Sequence, residues 1–272
     1  MRIGKYWIRG EFTAPNDNQL RFSCWGVSDI CEEDALRDAR ERADHVLRKI
    51  RGEPHDIDTY EADIIEEVVE KISDRSIVTR NRYGARVLNT RELTIIDVDT
   101  FPPGIPQDPI VRFFKKLFGK KDPKPIPLKQ VTLAHIESVL ANELFDARVY
   151  ETAAGFRIIL NARELSPSSR EFRMISSKLR ADPCYTALCS KQHCFRARLS
   201  PKPYRMKIAT CRYTWPQAEE IYRGNRTWVE NYELRAHDFS VCKLVKTYGN
   251  DFSVHPLIRF HDGQTVSGKK LA

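Results

Sequence analysis

The sequence lacks a long apolar run. No window of its 272 residues approaches the roughly 18 consecutive apolar residues that a membrane-spanning helix needs. The opening residues, MRIGKYWIRGEF, also lack the apolar core of a secretory signal peptide. We therefore expect a soluble cytoplasmic protein with no membrane partner.

Paired cysteine motifs, internal repeats and low-complexity tracts are also missing. The seven cysteines are odd in number, and their spacing does not suggest a disulfide framework. Cys184, Cys189 and Cys194 recur every five residues, whereas structural zinc sites use tighter pairs. Although His193 adjoins Cys194, we expect these cysteines to be small buried thiols rather than metal ligands.

The composition does contain enough apolar material for a core. Hydrophobic residues make up 41% of the chain, which excludes wholesale disorder. Its 45 Lys and Arg exceed its 37 Asp and Glu, giving a net charge of +8. This excess is compatible with a polyanionic partner, and the distribution of the charge matters more than its total.

Alternating strand and helix patterns predict an α+β (α/β-like) fold. We expect a central mixed or antiparallel sheet with flanking helices and a helical C-terminal region. The expected division is 1–75 (a strand pair and two helices), 76–212 (the core) and 213–272 (the helical region). The predicted strands are a pair within 1–27, Ala85–Asn89, Leu93–Asp99, Ala147–Glu151, Phe156–Asn161, Phe195–Leu199 and Ile208–Arg212. The predicted helices are Ser28 or Asp29 to Gly52, Tyr60–Ile72, Lys129–Phe145, Pro167 or Ser168 to Leu179, a short helix after Pro183, Trp215–Tyr248 and a short helix near Pro256.

A proline-rich segment, Phe101–Leu128, separates two of these elements. It contains the basic and aromatic run Arg112–Lys121. A loop of this length inside a domain is usually functional, although a surface linker with a short amphipathic turn fits equally well.

The strongest local motif is an apolar strand that ends in Asp97-Val98-Asp99. Because side chains alternate along a strand, the two carboxylates share one face and repel each other. A divalent cation such as Mg²⁺ would relieve that repulsion. Alternatively, the acids are solvated or paired with nearby arginines such as Arg80, Arg82 or Arg86.

Two further segments carry groups that suit phosphate binding. Tyr150–Leu160 predicts a hairpin with a small-residue turn, from which Thr152 and Arg157 could reach a phosphate. An ordinary hairpin with an exposed arginine is the alternative.

The second segment, Lys191–Arg212, has seven basic residues and no acid. Arg196 and Arg198 share a strand face, and a proline-bounded loop carries Lys202. A cationic run with Phe195 and Tyr204 is typical of phosphate and single-strand contacts, whereas a solvated basic edge strand is the alternative. Near the C-terminus, His255 and His261 fit an ordinary surface helix better than a ligand cluster.

In this order the motifs resemble the archaeo-eukaryotic primase superfamily, the primase-polymerases. The first family motif is an apolar strand ending in Asp-x-Asp, which matches Ile95–Asp99. The second is similar to Thr152–Arg157, with Arg157 where the family has histidine. Ala181-Asp182-Pro183 and Phe195–Lys202 are similar to later family segments. The resemblance covers about Arg80–Lys207, less than half the chain; Thr79–Gly84, Val87–Asn89 and Cys194–Arg205 also resemble a family of uncharacterised bacterial proteins, which implies no activity.

The resemblance implies a primase-polymerase-like core and a nucleotidyltransferase that acts on nucleic acid (DNA or RNA) and nucleoside triphosphates. It implies Mg²⁺ or Mn²⁺ on Asp97 and Asp99, with Asp182 as the preferred third catalytic carboxylate and Asp108, Glu151 and Glu164 behind it. The implied nucleotide-binding residues are Thr152, Arg157, Arg196, Arg198 and Lys202. The implied nucleic-acid-binding residues are Arg80, Arg82, Tyr83, Lys115, Lys116, Lys120, Lys121 and Arg205.

Two other functions remain open on the same residues. Because arginine replaces the motif histidine and the third carboxylate is not identified, the protein could bind nucleotide or nucleic acid without catalysis. Asp97-Val98-Asp99-Thr100 also resembles the nucleophile motif of haloacid-dehalogenase phosphotransferases, although no Gly-Asp-x-x-x-Asp segment follows it.

Overall fold

A computed structural model describes residues 4–14, 17–53, 64–100, 127–143, 145–161, 165–217 and 219–272. The basic run Arg112–Lys121, with Lys115, Lys116, Lys120 and Lys121, therefore lies outside the described residues, as do Asp108 and Glu164. In the described ranges no helix combines the length and apolar character needed to cross a bilayer.

The N-terminal region forms a hairpin covered by one helix. Strand β1 (Tyr6–Ala14) pairs antiparallel with β2 (Asp17–Ser28), as predicted. Helix α1 (Glu32–Ile50) carries three acids in its first turn, where the helix dipole favours negative charge. Its buried alanines at positions 35, 39 and 43 recur at helical spacing, as the sequence pattern predicts.

Two four-stranded antiparallel sheets make up most of the remaining chain. The first has the order β3-β4-β5-β9 and the second the order β11-β7-β8-β6. The first sheet consists of β3 (Glu67–Ser73), β4 (Ser76–Arg80), β5 (Arg86–Thr90) and β9 (Phe195–Arg198). The second consists of β6 (Thr94–Asp99), β7 (Ala147–Thr152), β8 (Gly155–Leu160) and β11 (Cys242–Tyr248). A short parallel pair, β10 (Phe239–Ser240) and β12 (Lys270–Leu271), lies near the C-terminus.

Helices flank the sheets, so the predicted α+β class is confirmed. They are α2 (Leu128–Glu143), α3 (Arg170–Lys178), α4 (Pro183–Gln192), α5 (Glu219–Ala236), α6 (Pro256–Thr265) and the 3-10 turn Pro203–Met206. One apolar core contains residues from both sheets and from α2, α3, α4 and α6; among its members are Leu88, Ile96, Ile136, Ile158, Phe172, Cys189, Phe195 and Ile258.

Three predicted elements are wrong. The part of the expected helix Tyr60–Ile72 that the structure describes contains β3, because its β-branched residues pair with β4. No regular element covers Ile208–Arg212. The helix expected over Trp215–Tyr248 ends at Ala236, and Cys242–Tyr248 extends the second sheet beside β7. The C-terminal region thus contributes a strand to the core, and the boundary expected at 75/76 falls in the β3–β4 hairpin.

Gly155 allows β8 to begin against β6. A Cβ at this position would overlap the carbonyl oxygen of Val98. We therefore expect Gly155→Ala to lower the free energy of unfolding by about 1–3 kcal/mol, as overpacking does. Urea denaturation checks this expectation, with Gly224→Ala as a control because a Cβ there has no neighbour. A loss at Gly155 no larger than that at Gly224 would contradict it.

Candidate functional site

The paired carboxylates lie at the end of β6. Ile95, Ile96 and Val98 are buried, whereas Asp97 is half-buried and Asp99 is exposed. Strand register places Asp97 opposite Arg157 and Asp99 opposite Gly155. Asp97 and Asp99 therefore lie on one face of the strand, as the sequence predicts.

Arg157 is ion-paired inside the protein. Its side chain is 3% exposed, and its Nε lies 3.0 Å from Oδ1 of Asp97. Its Nη1 donates to the carbonyl oxygen of Arg198 at 3.0 Å. Burial acts to lower the pKa of Arg157, but the charge and hydrogen bond of Asp97, together with smaller effects of Cys242 and Tyr185, outweigh it and keep that pKa above the usual value. The guanidinium expected to bind a triphosphate is thus engaged with Asp97.

Asp182 joins the two carboxylates of β6. Its backbone N–H donates to the carbonyl oxygen of Asp97 at 3.0 Å. Its side chain caps α4 by accepting from the N–H of Cys184 at 2.9 Å. Partial desolvation at the end of β6 raises the pKa of Asp99, and the charges of Asp182 and Asp97 raise it further. Three acids from two elements therefore act on one another here.

Glu151 is the other candidate for the third carboxylate among the described residues, and it is paired with a lysine instead. Glu151 accepts from Nζ of Lys129 at 2.6 Å. Thr152, next in the chain, accepts from the backbone N–H of Gly155 through its hydroxyl and belongs to the β7–β8 turn. Neither Glu151 nor Thr152 therefore belongs to the acid cluster of Asp97, Asp99 and Asp182.

A group of cations lies beside the acids. Arg198, Lys202 and Arg205 all lower the pKa of the Tyr204 phenol, outweighing the opposing effect of partial burial. Lys202 and Arg205 also act to lower the pKa of Asp99. Lys202 and Arg205 therefore lie near the acid cluster; together with Arg198 and Tyr204 we call them the basic loop.

Arg198 is a half-buried member of the basic loop. Burial lowers its pKa, the Asp97 charge opposes this, and Arg157 and Arg205 lower it further. In the part of the chain that the structure describes, its side chain makes no hydrogen bond or salt bridge of its own. Since a partly buried, unpaired guanidinium is costly, this arrangement favours binding of an anion.

A cavity of about 530 Å³ opens beside Asp97 and Arg198. Arg196 also lines it, so both arginines of β9 face the same space, as the sequence predicts. Arg196 is already paired, however, because its Nη2 lies 2.6 Å from Oε1 of Glu66. Arg198 is therefore the β9 arginine available to a ligand.

A second cavity, of about 640 Å³, adjoins the first. The two share Ile65, Arg82 and Tyr83, and the second is also lined by Arg212 and Trp215. The Arg82 guanidinium lies 4.9 Å from the centre of the Tyr83 ring. Together the cavities form a groove that is lined with arginine and aromatic side chains.

Arg80 lies away from this groove. It is buried, with Nη2 at 2.6 Å from Oε1 of Glu233 and Nη1 donating to the carbonyl oxygen of Gly84. This arginine attaches β4 to α5. Its neighbours Arg82 and Tyr83 are the exposed members of the predicted nucleic-acid-binding set in this segment.

Sequence reasoning missed His261, which was expected on a surface helix. It is fully buried, and its Nε2 lies 3.3 Å from Nη1 of Arg157. The neighbouring acid Asp262 was the only local signal. The cysteine prediction holds for Cys189 and Cys194, which are buried, but not for Cys184, which is exposed.

The residues fit a cation only in part. Among the described residues, no three His, Cys, Asp or Glu side chains are grouped so that they could hold a metal ion by themselves. In the same ranges no group donates to Oδ2 of Asp97 or to the Asp99 carboxylate. Since Mg²⁺ usually takes one or two carboxylates together with substrate phosphates, the site fits a cation that is shared with a bound polyphosphate.

Comparisons of the chain with protein-family models, with curated proteins and with solved structures found no match in any of the three.

Proposed function

We propose that the protein is a metal-dependent nucleotidyltransferase of primase-polymerase type, acting on nucleic acid and nucleoside triphosphates. One observation carries the proposal: the acids Asp97, Asp99 and Asp182 lie near the basic loop, close enough for Lys202 and Arg205 to act on Asp99 and for Asp97 to act on Arg198. A site for phosphate alone would not place carboxylates there, because they repel the ligand. A complex of a divalent cation with a polyphosphate needs both charges side by side.

Each group has a chemical task in this proposal. Asp99 and Oδ2 of Asp97 would hold Mg²⁺ or Mn²⁺, which supplies Lewis-acid stabilisation of the transferred phosphoryl group. Arg198, Lys202 and Arg205 would bind the phosphates through charge-assisted hydrogen bonds. Asp182 adds negative charge at the same point and orients α4.

The nucleic-acid strand would lie in the groove formed by the two cavities. Arg82 and Arg212 supply cations, and Tyr83 and Trp215 supply aromatic surfaces on which bases stack. Strand binding that relies on arginines weakens as salt concentration rises. DNA and RNA are both compatible with these contacts.

A second candidate function is binding without catalysis, on the same residues. The Asp97–Arg157 ion pair favours it, because a carboxylate that is already neutralised holds a cation less strongly. In this case nucleotide or nucleic acid would bind through the basic loop, with no requirement for a metal.

Binding of a nucleoside triphosphate tests the proposal, measured by calorimetry with Mg²⁺ and with a chelator. We expect Arg198→Met to weaken binding about ten- to hundredfold, because a hydrogen bond to a charged group contributes about 1.5–3 kcal/mol. Arg173→Met is the matched control, since Arg173 is exposed on α3. Equal losses in the two variants would contradict the assignment of Arg198.

The two candidate functions differ in their response to the chelator. Metal-dependent binding together with extension of a primed template supports nucleotidyl transfer. Binding that persists in the chelator, with no extension, leaves the non-catalytic candidate. Absence of nucleotide and nucleic-acid binding overturns both.

A further inference from the structure

Helix α6 places one buried histidine against the Asp97–Arg157 pair. The fully buried ring of His261 packs edge-on against Tyr150. Its two nitrogens face different partners: Nε2 lies 3.3 Å from Nη1 of Arg157, and Nδ1 lies 2.9 Å from Oδ1 of Asp262. The chain Asp262–His261–Arg157–Asp97 therefore connects α6 to the end of β6.

The chemistry of the partners determines the proton position on His261. An arginine side chain only donates hydrogen bonds, so Nε2 must accept from Arg157. The proton then resides on Nδ1, which donates to Asp262. Burial lowers the pKa of His261, and although Asp262 opposes this, the net shift favours the neutral ring that the geometry requires.

Asp262 is in turn held by Arg148. Nη2 of Arg148 lies 2.9 Å from Oδ2 of Asp262, and its Nε donates to the Tyr150 hydroxyl at 2.8 Å. Arg148 also pairs with Asp251 at 3.0 Å. This second layer of contacts fixes the carboxylate that orients His261.

The orientation of Arg157 decides which oxygens of Asp97 are free. At present Nε bonds Oδ1, while Nη1 is held by the Arg198 carbonyl oxygen, by Nε2 of His261 and, at 3.6 Å, by Sγ of Cys242. A guanidinium released from these acceptors can turn to bind both oxygens of a carboxylate, the arrangement that arginine and carboxylate groups favour. That arrangement would occupy Oδ2, the oxygen left for a cation.

We propose that His261, oriented by Asp262, is a positioning residue that holds Arg157 on one oxygen of Asp97 and so keeps the other oxygen available to the metal–nucleotide complex. This inference rests on the proposed function for its ligand, but not for its hydrogen bonds. It gives the C-terminal helix a role in the site although α6 contributes no group that touches the ligand.

Two substitutions of His261 test the roles of its two nitrogens separately. The amide of His261→Gln can replace Nε2 as an acceptor for Arg157. That of His261→Asn reaches the position of Nδ1 instead and leaves Nη1 of Arg157 with only the Arg198 carbonyl oxygen and Sγ of Cys242. We expect the asparagine variant to bind Mg²⁺ with a non-hydrolysable nucleoside triphosphate about 10–100-fold more weakly, the usual effect of losing a group that orients a metal ligand. The glutamine variant should retain most of the affinity, and thermal unfolding should show similar losses of stability in both.

A purely structural role predicts a different pattern. In that case affinity in both variants would follow thermal stability, with no advantage for glutamine, and the inference would be overturned. Binding of the nucleotide in chelator, measured in parallel, should differ little between the variants, because Oδ2 of Asp97 then has no cation to hold.

A ligand-free measurement distinguishes failure of this inference from failure of the proposed function. Nitrogen-15 NMR of the wild-type protein should show His261 as the neutral Nδ1–H form. A protonated ring or an Nε2–H form would overturn the inference, whether or not nucleotide binds. The expected form together with no metal-dependent nucleotide binding would instead overturn the proposed function, and with it the role given to His261.

Discussion

Asp97→Ala is expected to lower the free energy of unfolding by about 3 kcal/mol, at the lower end of the 3–5 kcal/mol typical when one partner of a buried ion pair is removed. The substitution leaves the guanidinium of Arg157, 3% exposed, without its carboxylate. The lower end applies because the Asp97 side chain is 36% exposed, so water already screens part of the interaction. Urea denaturation of the wild-type and variant proteins measures the loss.

A double variant serves as the control for this prediction. Asp97→Ala leaves the charge of Arg157 without a partner, and Arg157→Met removes that charge. The double variant should therefore be more stable than Asp97→Ala alone. Asp97→Asn should fall between alanine and the wild type, since its amide oxygen still accepts from Nε of Arg157. Additive losses in the double variant, or an alanine variant within 1 kcal/mol of the wild type as for an ordinary surface change, would show that the pair is not coupled.

Loss of stability also limits what Asp97→Ala can reveal about function. Absence of nucleotide incorporation in that variant has two explanations, a missing metal ligand or a displaced Arg157. Because Arg157 also bonds the Arg198 carbonyl oxygen, its displacement would disturb the basic loop as well. Asp99 is therefore the better position at which to test catalysis.

The elements nearest the site could be predicted from sequence because their local patterns are unambiguous. The apolar run before Asp97 predicts β6, and a small-residue turn between two apolar runs predicts β7 and β8. The shared face of Asp97 and Asp99 follows from strand geometry alone.

The elements that were predicted incorrectly contain apolar residues whose spacing fits both a helix and a strand. Val68, Val69 and Ile72 have the spacing of the apolar face of a helix. Val68 and Val69 are nevertheless exposed on β3, so this spacing does not mark a face that is buried in the core. In Cys242–Tyr248 the partner strand β7 decides the structure, through long-range pairing that no local window contains.

The site itself was only partly predictable. The expectation that Asp182 lies near Asp97 came from the order of the motifs, and the backbone hydrogen bond between them places it there. The pairing of Arg157 with His261 joins residues 104 positions apart, on a strand and on a helix that looked like surface. In sequence Arg196 and Arg198 are equally good candidates, and only the positions of Glu66 and Gln192 distinguish the paired arginine, Arg196, from the available one.

Asp99→Asn is expected to reduce metal-dependent nucleotide incorporation on the order of 10²–10³-fold, the usual effect of removing one preorganised electrostatic group at a reacting centre. In the ranges that the structure describes, the Asp99 side chain makes no hydrogen bond or salt bridge, and it is exposed. The variant should therefore unfold within about 0.5 kcal/mol of the wild type, as a surface change does. Primer extension with Mg²⁺, at matched protein stability, measures the effect.

Two further acids make the Asp99 result specific. Asp182→Asn keeps the α4 cap, because asparagine caps helices as well as aspartate, and removes the third negative charge of the cluster. Glu171→Gln removes an exposed carboxylate on α3 and should leave incorporation unchanged. If Asp99→Asn and Glu171→Gln both incorporate nucleotide as the wild type does, the Asp99 carboxylate does not hold the metal, and the proposed cation site on Asp97 and Asp99 is overturned. If Asp182→Asn matches the wild type while Asp99→Asn does not, the charge of the third acid is not needed for the reaction, and Asp97 and Asp99 are the two carboxylates that share the cation with the nucleotide.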